Sequence, residues 1–285
     1  MDQSSFLITG AHGQLGKALR TQYPDATATS SAELDITDTS ALEHYDWSNI
    51  TTIINAAAYT NVDSAETLEG RAAAWHVNAV GSANLTKIAL DHDLMIVHIS
   101  SDYVFDGTQE LHMEDEDFAP LSAYGASKAA GDMAIALNPK HYILRTSWVI
   151  GEGNNFVRTM IGLGQKGISP TVVADQVGRL TFTSELVRAI DHLLTTKAAF
   201  GTYNVTNSGD SVSWADITRA IFTEASYNDL TVTDTTTEEY FAGKDSIAPR
   251  PLQSTLDLSK IQATGFASID WQEDLKTYVR KELDS

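Results

Sequence analysis

Phe6-Leu-Ile-Thr-Gly-Ala-His-Gly-Gln-Leu-Gly16 is the stretch from which the fold of this chain can be worked out. Its first four residues predict a buried strand, and residues 14–23 predict a helix. Gly10, Gly13 and Gly16 allow a tight turn between the two and leave the helix N-terminus open, where a pyrophosphate can bind. Because the turn directly follows the first strand, this interpretation is favoured over a plain glycine-rich turn.

Short apolar strands alternate with longer helical segments through the first half of the chain. This pattern predicts parallel strands joined by right-handed helical crossovers, an α/β doubly wound parallel sheet of the Rossmann type. In such sheets ligands bind at the carboxyl ends of the strands. The strands are predicted at residues 6–9, 26–29, 51–54, 94–99 and 142–146, and the helices at residues 14–23, 63–89 and 123–137.

Residues 1–150 are predicted to form a dinucleotide-binding domain, and residues 151–285 mainly a smaller, interleaved substrate-binding domain. Glycines and Pro170 interrupt this second part, which is less regular. Strands near residues 171–173 and 201–205 are predicted to return to the main sheet. Helices are expected at residues 183–194 and 213–225, whereas residues 231–237 give no strong signal.

The composition is that of an ordinary globular protein, with 42% hydrophobic and 20% charged residues among 285. A formal net charge of −19, from 38 acidic and 19 basic residues, disfavours binding to nucleic acid or to an anionic membrane. The lack of cysteine excludes disulfides and thiolate catalysis. The first residues carry no basic segment and no apolar run is long enough to span a bilayer, so a cytoplasmic location is expected.

Tyr124 and Lys128 stand four residues apart, so both project from one face of a predicted helix. A phenol with a pKa of about 10 is a poor acid-base group at neutral pH. We expect the Lys128 ammonium to lower the pKa of Tyr124, and the Ser101 hydroxyl to complete a site that donates a proton to a carbonyl oxygen. The spacing alone also fits a surface pair, but the nearby strand ends favour a catalytic role.

The dinucleotide is expected to contact several strand ends. After the third strand, Asn55-Ala-Ala-Ala-Tyr59 presents small side chains where a backbone passes close to a ligand. The second strand ends in Thr29-Ser-Ser31, so no charged residue there chooses between NADH and NADPH, and Asp35 and Ile36 are expected to contact the adenine. The expected cofactor-binding residues are Gly10, Gly13, Gln14, Leu15, Gly16, Asp35, Ile36, Ala57, Ala58, Tyr59, Ser100, Tyr124 and Lys128.

Longer motifs spread over nearly the whole chain resemble one family. They include Ser101-Asp-Tyr-Val-Phe-Asp-Gly107, Tyr124-Gly-Ala-Ser-Lys128 and Arg145-Thr-Ser-Trp-Val149. On these segments the chain resembles the extended short-chain dehydrogenase/reductase family and, within it, the dTDP-4-dehydrorhamnose reductases. The resemblance implies a nucleotide-sugar substrate, dTDP-4-dehydro-β-L-rhamnose, whose C4 ketone is reduced with NADPH or NADH.

The resemblance also assigns roles to individual residues. It makes Tyr124 the proton donor, lets Lys128 bind the nicotinamide ribose, and places Ser101, where the family usually has Thr, beside the carbonyl oxygen. Asp102 and Trp148 match positions that hold the deoxysugar and its nucleotide, with Trp148 as a stacking surface. The alternatives are a capping Asp and a core Trp.

Two arginines, Arg179 and Arg250, are candidates for binding the substrate diphosphate, because a guanidinium can grip phosphate oxygens bidentately. Ile150 and Leu180 depart from the family pattern near this pocket and leave the identity of the sugar nucleotide open. A reductase of another nucleotide 4-keto-sugar and a non-catalytic dinucleotide-binding regulatory subunit stay as alternatives.

No metal ligands are assigned from the sequence, because no two histidines have the spacing of a zinc site. The acidic run Glu114-Asp-Glu-Asp117 is interpreted as a solvated loop. The resemblance makes Mg²⁺ and a homodimer compatible with this chain, because relatives hold magnesium between subunits.

Overall fold

The computed structural model of the protein describes residues 2–284 and contains the alternating strands and helices expected for its first half. The strands are β1 Phe6–Thr9, β2 Thr27–Thr29, β3 Thr52–Asn55, β4 Met95–Ser101, β5 His141–Thr146, β6 Val149–Ile150, β7 Thr171–Val173, β8 Val177–Gly178, β9 Thr181–Phe182, β10 Gly201–Asn204, β11 Val212–Ser213 and β12 Thr233–Thr235. The helices are α1 Gln14–Gln22, α2 Thr39–His44, α3 Leu68–Trp75, α4 Ser82–Asp91, α5 Ala123–Ile135, α6 Phe156–Gln165, α7 Thr183–Thr196, α8 Trp214–Glu224, α9 Thr237–Phe241, α10 Ser259–Gln262 and α11 Trp271–Leu283.

Six of these strands form one parallel sheet with the order β10-β5-β4-β3-β1-β2. The chain runs from β1 outward to β2 and then crosses back to β3 on the other side of β1. Ligands of doubly wound sheets bind at such a reversal, outside the carboxyl ends of the strands. The topology therefore places a binding crevice beside the ends of β1 and β3.

Both faces of this sheet are covered, which explains why its central strands are continuously apolar rather than alternating. On one face, side chains from α1 and α7 pack into a core with residues of β1, β5 and β10. On the other face, α2 and α4 pack against a second core. The helix α7 and the strand β10 thus belong to the main sheet although they lie beyond residue 150.

A second lobe is built from three small two-stranded sheets, β11-β8, β12-β7 and β6-β9, together with α6, α8 and α11. Its core includes Phe182, Phe222 and Trp271. The strand at residues 201–205 pairs with β5, as the sequence suggested. The prediction that the strand at residues 171–173 returns to the main sheet is wrong, because β7 pairs with β12, which lies in the stretch 231–237 for which no element was predicted.

The long helix expected at residues 63–89 is interrupted. A 3₁₀ turn at Ser64–Glu66 precedes α3, and a wide π-helical turn at His76–Gly81 separates α3 from α4. Within that turn the Asn78 amide hydrogen-bonds both backbone groups of Tyr59 and the Ser127 hydroxyl. Tertiary contacts therefore set a local geometry that helical periodicity alone does not contain.

Within residues 2–284 no helix combines the length and the apolar character needed to cross a lipid bilayer.

Candidate active site

The helix α5 and the strand β4 bring Tyr124, Lys128 and Ser101 into one cleft. The Ser122 hydroxyl caps α5 by accepting a hydrogen bond from the Gly125 amide at 3.0 Å, which fixes the first turn that carries Tyr124. Ser101 is the last residue of β4, and its hydroxyl oxygen accepts from the Tyr103 amide at 3.2 Å. The grouping expected from the sequence is therefore present.

Lys128 is almost fully buried, with 2% of its surface exposed. Its Nζ donates to the Ile99 carbonyl oxygen at 2.6 Å. Burial lowers the pKa of Lys128 to about 8, and the Asp132 carboxylate, one turn further along α5, works in the opposite direction. The ammonium is thus the charged form at neutral pH and loses its proton in mildly alkaline solution.

The phenol of Tyr124 is shifted in the direction opposite to our expectation. Burial raises the pKa of Tyr124 to about 12, a hydrogen bond with the Ser101 hydroxyl lowers it, and the charges of Asp102 and Asp132 raise it further. Desolvation of the phenolate outweighs any stabilisation by a neighbouring cation. Tyr124 is therefore a protonated group at neutral pH, suited to donate a proton rather than to accept one.

The cleft has a volume of about 690 Å³ and reaches from the glycine turn to these three side chains. One end is formed by backbone of the turn and the other by α5 and the loop after β5. Its lining residues are His12, Gly13, Gln14, Leu15, Lys17, Ala56, Ala58, Thr60, Val62, Ile99, Ser100, Ser101, Asp102, Tyr103, Tyr124, Lys128, Thr146, Trp148, Val149, Glu152, Gly153, Asn154 and Leu186.

The glycine turn is built for close backbone approach. A Cβ atom at Gly16 would lie 2.1 Å from the Gly10 carbonyl oxygen, and one at Gly10 would lie 2.6 Å from the Ala57 amide nitrogen. Gly10 also has a positive φ of 72°. Gly13 is the N-cap of α1 without a side-chain cap, so the helix N-terminus faces the cleft uncovered. This cradle fits the pyrophosphate of a dinucleotide.

Neighbouring residues expected at the dinucleotide are placed as follows. The Gln14 side chain accepts a hydrogen bond from the Gly151 amide at 2.7 Å and so joins the turn to the second lobe, while Leu15 packs into the core beneath the sheet. Ala58 lines the cleft. The Ala57 amide donates to the Asn55 side chain at 3.2 Å, and the backbone of Tyr59 is held by Asn78, as described above.

Asp35 and Ile36 are not among the lining residues of the cleft. The Asp35 carboxylate accepts from the amide and hydroxyl of Thr37 at 2.9 and 2.8 Å. The Ile36 side chain is buried in the core, directly beneath Gly81. Their contact with adenine stays a prediction.

An acidic group that the sequence analysis overlooked occupies the end of β2. One Glu33 carboxylate oxygen accepts from both the amide and the hydroxyl of Ser30 at 2.8 Å. These bonds lower the pKa of Glu33, as do the nearby charges of His12 and Arg20. The available signal was the three-residue spacing from Ser30, typical of a side chain that folds back onto a turn.

The expected sugar-binding residues Asp102 and Trp148 both line the cleft. Asp102 is 3% exposed and accepts from the Ser101 hydroxyl at 3.0 Å. Burial raises the pKa of Asp102 to about 6, against the opposing effect of the Ser254 and Ser101 hydroxyls. Trp148 stacks on Trp214, a residue that the sequence analysis did not single out.

The two candidate arginines are both engaged within the protein and are not among the lining residues of the cleft. The Nη2 atom of Arg250 donates to both carboxylate oxygens of Asp63 at 2.7 and 2.8 Å, and its Nη1 atom donates to the Ala248 carbonyl oxygen. Arg179 donates to the Leu256 carbonyl oxygen, and burial lowers the pKa of its guanidinium. Binding of the diphosphate by either residue stays a prediction.

The residues present do not fit a magnesium site. Within residues 2–284 no three His, Asp or Glu side chains are grouped to hold a metal ion. In the acidic run, Glu116 pairs with His112 at 2.8 Å, and Glu114 accepts from the Asn204 amide at 2.9 Å. These two carboxylates tie the loop to neighbouring elements, so no catalytic step is assigned to Mg²⁺.

Comparison with known proteins places this geometry in a family. Residues 4–283 match the family model described as the RmlD substrate binding domain. The chain is 40% identical to a dTDP-4-dehydrorhamnose reductase of Aggregatibacter actinomycetemcomitans, with 95% of this chain and 96% of the relative covered. The chain belongs to the dTDP-4-dehydrorhamnose reductase family.

Two further similar proteins are informative about the cofactor and the substrate. The crystal structure of the Bacillus anthracis dTDP-4-dehydrorhamnose reductase in complex with NADP is 36% identical, with a TM-score of 0.86 and coverage of 97% of this chain and 98% of that one. A dTDP-4-keto-6-deoxy-D-glucose reductase of Streptomyces niveus is 37% identical over 76% of this chain and 77% of the relative. Sequences this similar to the present chain therefore bear the names of more than one 4-keto-sugar reductase.

Proposed function

We propose that this protein is an NAD(P)H-dependent oxidoreductase that reduces the C4 ketone of dTDP-4-dehydro-β-L-rhamnose to dTDP-β-L-rhamnose, with Tyr124 as proton donor. The observation that carries the proposal is the placement of Tyr124, Ser101 and Lys128 in the same cleft as the open N-terminus of α1. Membership of the family supports the choice of reaction.

The glycine turn and the N-terminus of α1 would hold the dinucleotide, which supplies the hydride to C4. Tyr124, kept protonated by burial, donates a proton to the oxygen that becomes an alkoxide. The Ser101 hydroxyl hydrogen-bonds that oxygen, and the Lys128 ammonium stabilises the negative charge as it develops. Asp102 and the indole of Trp148 orient the sugar nucleotide at the other end of the cleft.

Among the two dinucleotides, we propose that NADH is preferred. The donors at the end of β2, the amide and hydroxyl of Ser30, are already bound by the Glu33 carboxylate. A ribose 2′-hydroxyl can donate to that carboxylate, whereas a 2′-phosphate is repelled by its negative charge, an effect that the nearby His12 and Arg20 reduce. Because Glu33 is exposed, the discrimination is modest.

The Glu33→Gln variant tests this preference by titration with NAD⁺ and NADP⁺. Removing the charge should raise NADP⁺ affinity a few-fold and leave NAD⁺ affinity nearly unchanged. Glu43→Gln, which breaks an exposed ion pair with Lys87 elsewhere, is the matched control. An unchanged affinity ratio in the Glu33 variant would rule out this role.

The reaction itself is tested by following NADH and NADPH oxidation with a panel of nucleotide 4-keto-sugars. Tyr124→Phe should lower kcat by about 10²–10⁴-fold, the usual contribution of a positioned acid, with dinucleotide affinity retained. Near-normal turnover by this variant would contradict the assignment of Tyr124.

Two alternatives give distinct results in the same panel. A reductase of another nucleotide 4-keto-sugar, which the Streptomyces niveus relative favours, would turn over a different sugar best. A non-catalytic regulatory subunit would bind the dinucleotide, but no 4-keto-sugar of the panel would cause oxidation of NADH or NADPH. The presence of Ser101, Tyr124 and Lys128 argues against this alternative. A cytoplasmic location and a homodimer stay predictions.

A further inference from the structure

Trp148 holds a backbone conformation that is rare for a bulky residue. Its φ is +47°, in the left-handed region. Such conformations persist only when surrounding contacts impose them, and they concentrate at ligand-binding positions. The contacts that impose this one therefore identify what positions the Trp148 side chain in the cleft.

The backbone around Trp148 is fixed by the β8–β9 region of the second lobe. The Trp148 carbonyl oxygen accepts from the Thr181 amide at 3.1 Å, and the Ser147 hydroxyl donates to the Arg179 carbonyl oxygen at 3.0 Å. Gly178 lies against the indole, where a Cβ atom would sit 3.1 Å from the Trp148 ring. The second lobe thus forms a fitted seat for this residue.

Trp214 forms the wall of that seat. Its ring stacks on Trp148 with centroids 3.8 Å apart and planes inclined by 21°. Trp214 also packs on Phe156, at a centroid separation of 4.4 Å. Among the described residues, Trp148 lines the cleft and Trp214 does not. Trp214 would therefore act on a ligand only through Trp148.

The position of Trp214 is itself rigidly held. It is the first residue of α8, whose N-terminus carries a reciprocal capping box between Ser213 and Asp216. Immediately before it, Ser213 pairs with Val177 and Val212 pairs with Gly178. One short antiparallel pair therefore supplies both the glycine beneath the Trp148 ring and the indole that stacks on it.

We propose that Trp214 is a positioning residue for the sugar nucleotide: by stacking on Trp148 it holds that indole in the cleft and sets the affinity for the substrate without affecting the dinucleotide. The inference rests on the proposed function, because it assumes that Trp148 contacts the sugar nucleotide. The competing interpretation is that Trp214 only fills the core of the second lobe, next to which it packs.

The test compares Trp214→Leu, Trp214→Phe and the wild type in steady-state kinetics and in calorimetric titration with dTDP and NAD⁺. Leucine keeps apolar volume but removes the ring, so we expect a rise of about tenfold in the KM of the sugar nucleotide and in the Kd of dTDP. The kcat and the NAD⁺ affinity should change less than twofold. Trp214→Phe, which keeps an aromatic ring, should retain most of the wild-type affinity for the sugar nucleotide and for dTDP.

A spectroscopic measurement follows the stack independently of turnover. The electronic transitions of two indoles at this separation couple and give a band in the near-ultraviolet circular dichroism spectrum. Trp214→Leu and Trp148→Phe should each lose this band, and the double variant should show no further loss. Trp75→Phe, a half-exposed tryptophan on α3, is the matched control and should alter neither this band nor the dTDP affinity.

The outcomes separate the two proposals. A folded Trp214→Leu protein with wild-type KM and dTDP affinity overturns the positioning role, as does a parallel loss of NAD⁺ and dTDP affinity, which indicates general disruption of the lobe. If the two single variants do not lose the same band, the stack of Trp148 on Trp214 does not form, and the positioning role is again overturned. A wild-type protein that binds NAD⁺ but neither dTDP nor any nucleotide 4-keto-sugar contradicts the proposed function instead.

Discussion

The two ends of the cleft are built in different ways. At the dinucleotide end, one continuous segment supplies the strand, the glycine turn and the helix N-terminus, and the turn is closed by a bond within it, from the Gly13 amide to the Gly10 carbonyl oxygen. At the sugar end, Trp148 is held by Gly178, Thr181 and Trp214, which come from three separate elements, β8, β9 and α8. A binding site built from one segment can be predicted from the sequence. The geometry of a site built from several segments depends on how the whole lobe folds.

This difference predicts that steric damage at the dinucleotide end is severe. Gly16→Ala would place Cβ 2.1 Å from a backbone carbonyl oxygen that cannot move without opening the turn. We expect NAD⁺ affinity to fall at least about 100-fold, roughly 3 kcal/mol, as measured by titration. Gly162→Ala is the control, since its Cβ would meet nothing within 4 Å. Normal NAD⁺ binding by Gly16→Ala would contradict the claim that the dinucleotide end does not tolerate crowding.

On α5, across the cleft from the glycine turn, the charge of Lys128 should set the alkaline limit of turnover. Because burial holds the pKa of Lys128 at about 8 while Tyr124 stays protonated, kcat/KM should fall about tenfold per pH unit above that value. Lys128→Arg, which stays charged, should be slower but lack this decline. A wild-type profile that is flat to pH 10 would exclude the role.

At the sugar end, a buried carboxylate is expected to reduce stability. Since the folded pKa of Asp102 is raised to about 6, its penalty is complete above pH 6 and disappears as the pH falls below its unfolded value of 3.8. Asp102→Asn should therefore stabilise the protein by about 1–3 kcal/mol at pH 7 and by less at pH 5, while raising the KM of the sugar nucleotide. Thermal melts at both pH values check this, and an equal gain at each would contradict it.

The smallest effect is expected for the glycine at the sugar end. Gly178→Ala brings Cβ to 3.1 Å from Trp148 and Ser254, a contact that a shift of a few tenths of an ångström relieves. We expect the KM of the sugar nucleotide to rise about threefold, under 1 kcal/mol, with NAD⁺ affinity unchanged. A loss as large as that of Gly16→Ala would mean that both ends tolerate crowding equally.

Hydrophobic pattern was sufficient for β1, β3, β4 and β5, whose residues are almost all buried, and for α1 and α5. The strand β2, Thr-Ala-Thr, was also predicted, although it is short and partly exposed. The hydrophobic pattern did not assign α2, α6 or α11, and it misplaced β7. The three residues of β7 are paired by β12, whose own sequence, Thr-Asp-Thr, is polar. Strands this short are stabilised by their partner and not by their own pattern.

The sequence by itself determined the doubly wound sheet, the glycine turn and the trio of Ser101, Tyr124 and Lys128, because period, turn chemistry and helical spacing are local properties. Only the tertiary structure decided the pKa values of Tyr124 and Lys128, since desolvation depends on everything packed around them and reversed the expected shift at Tyr124. It alone also folded Glu33 onto Ser30 and seated Trp148 on Trp214. These contacts join groups whose approach no periodicity encodes, and the proposed preferences for a dinucleotide and for a sugar nucleotide rest on them.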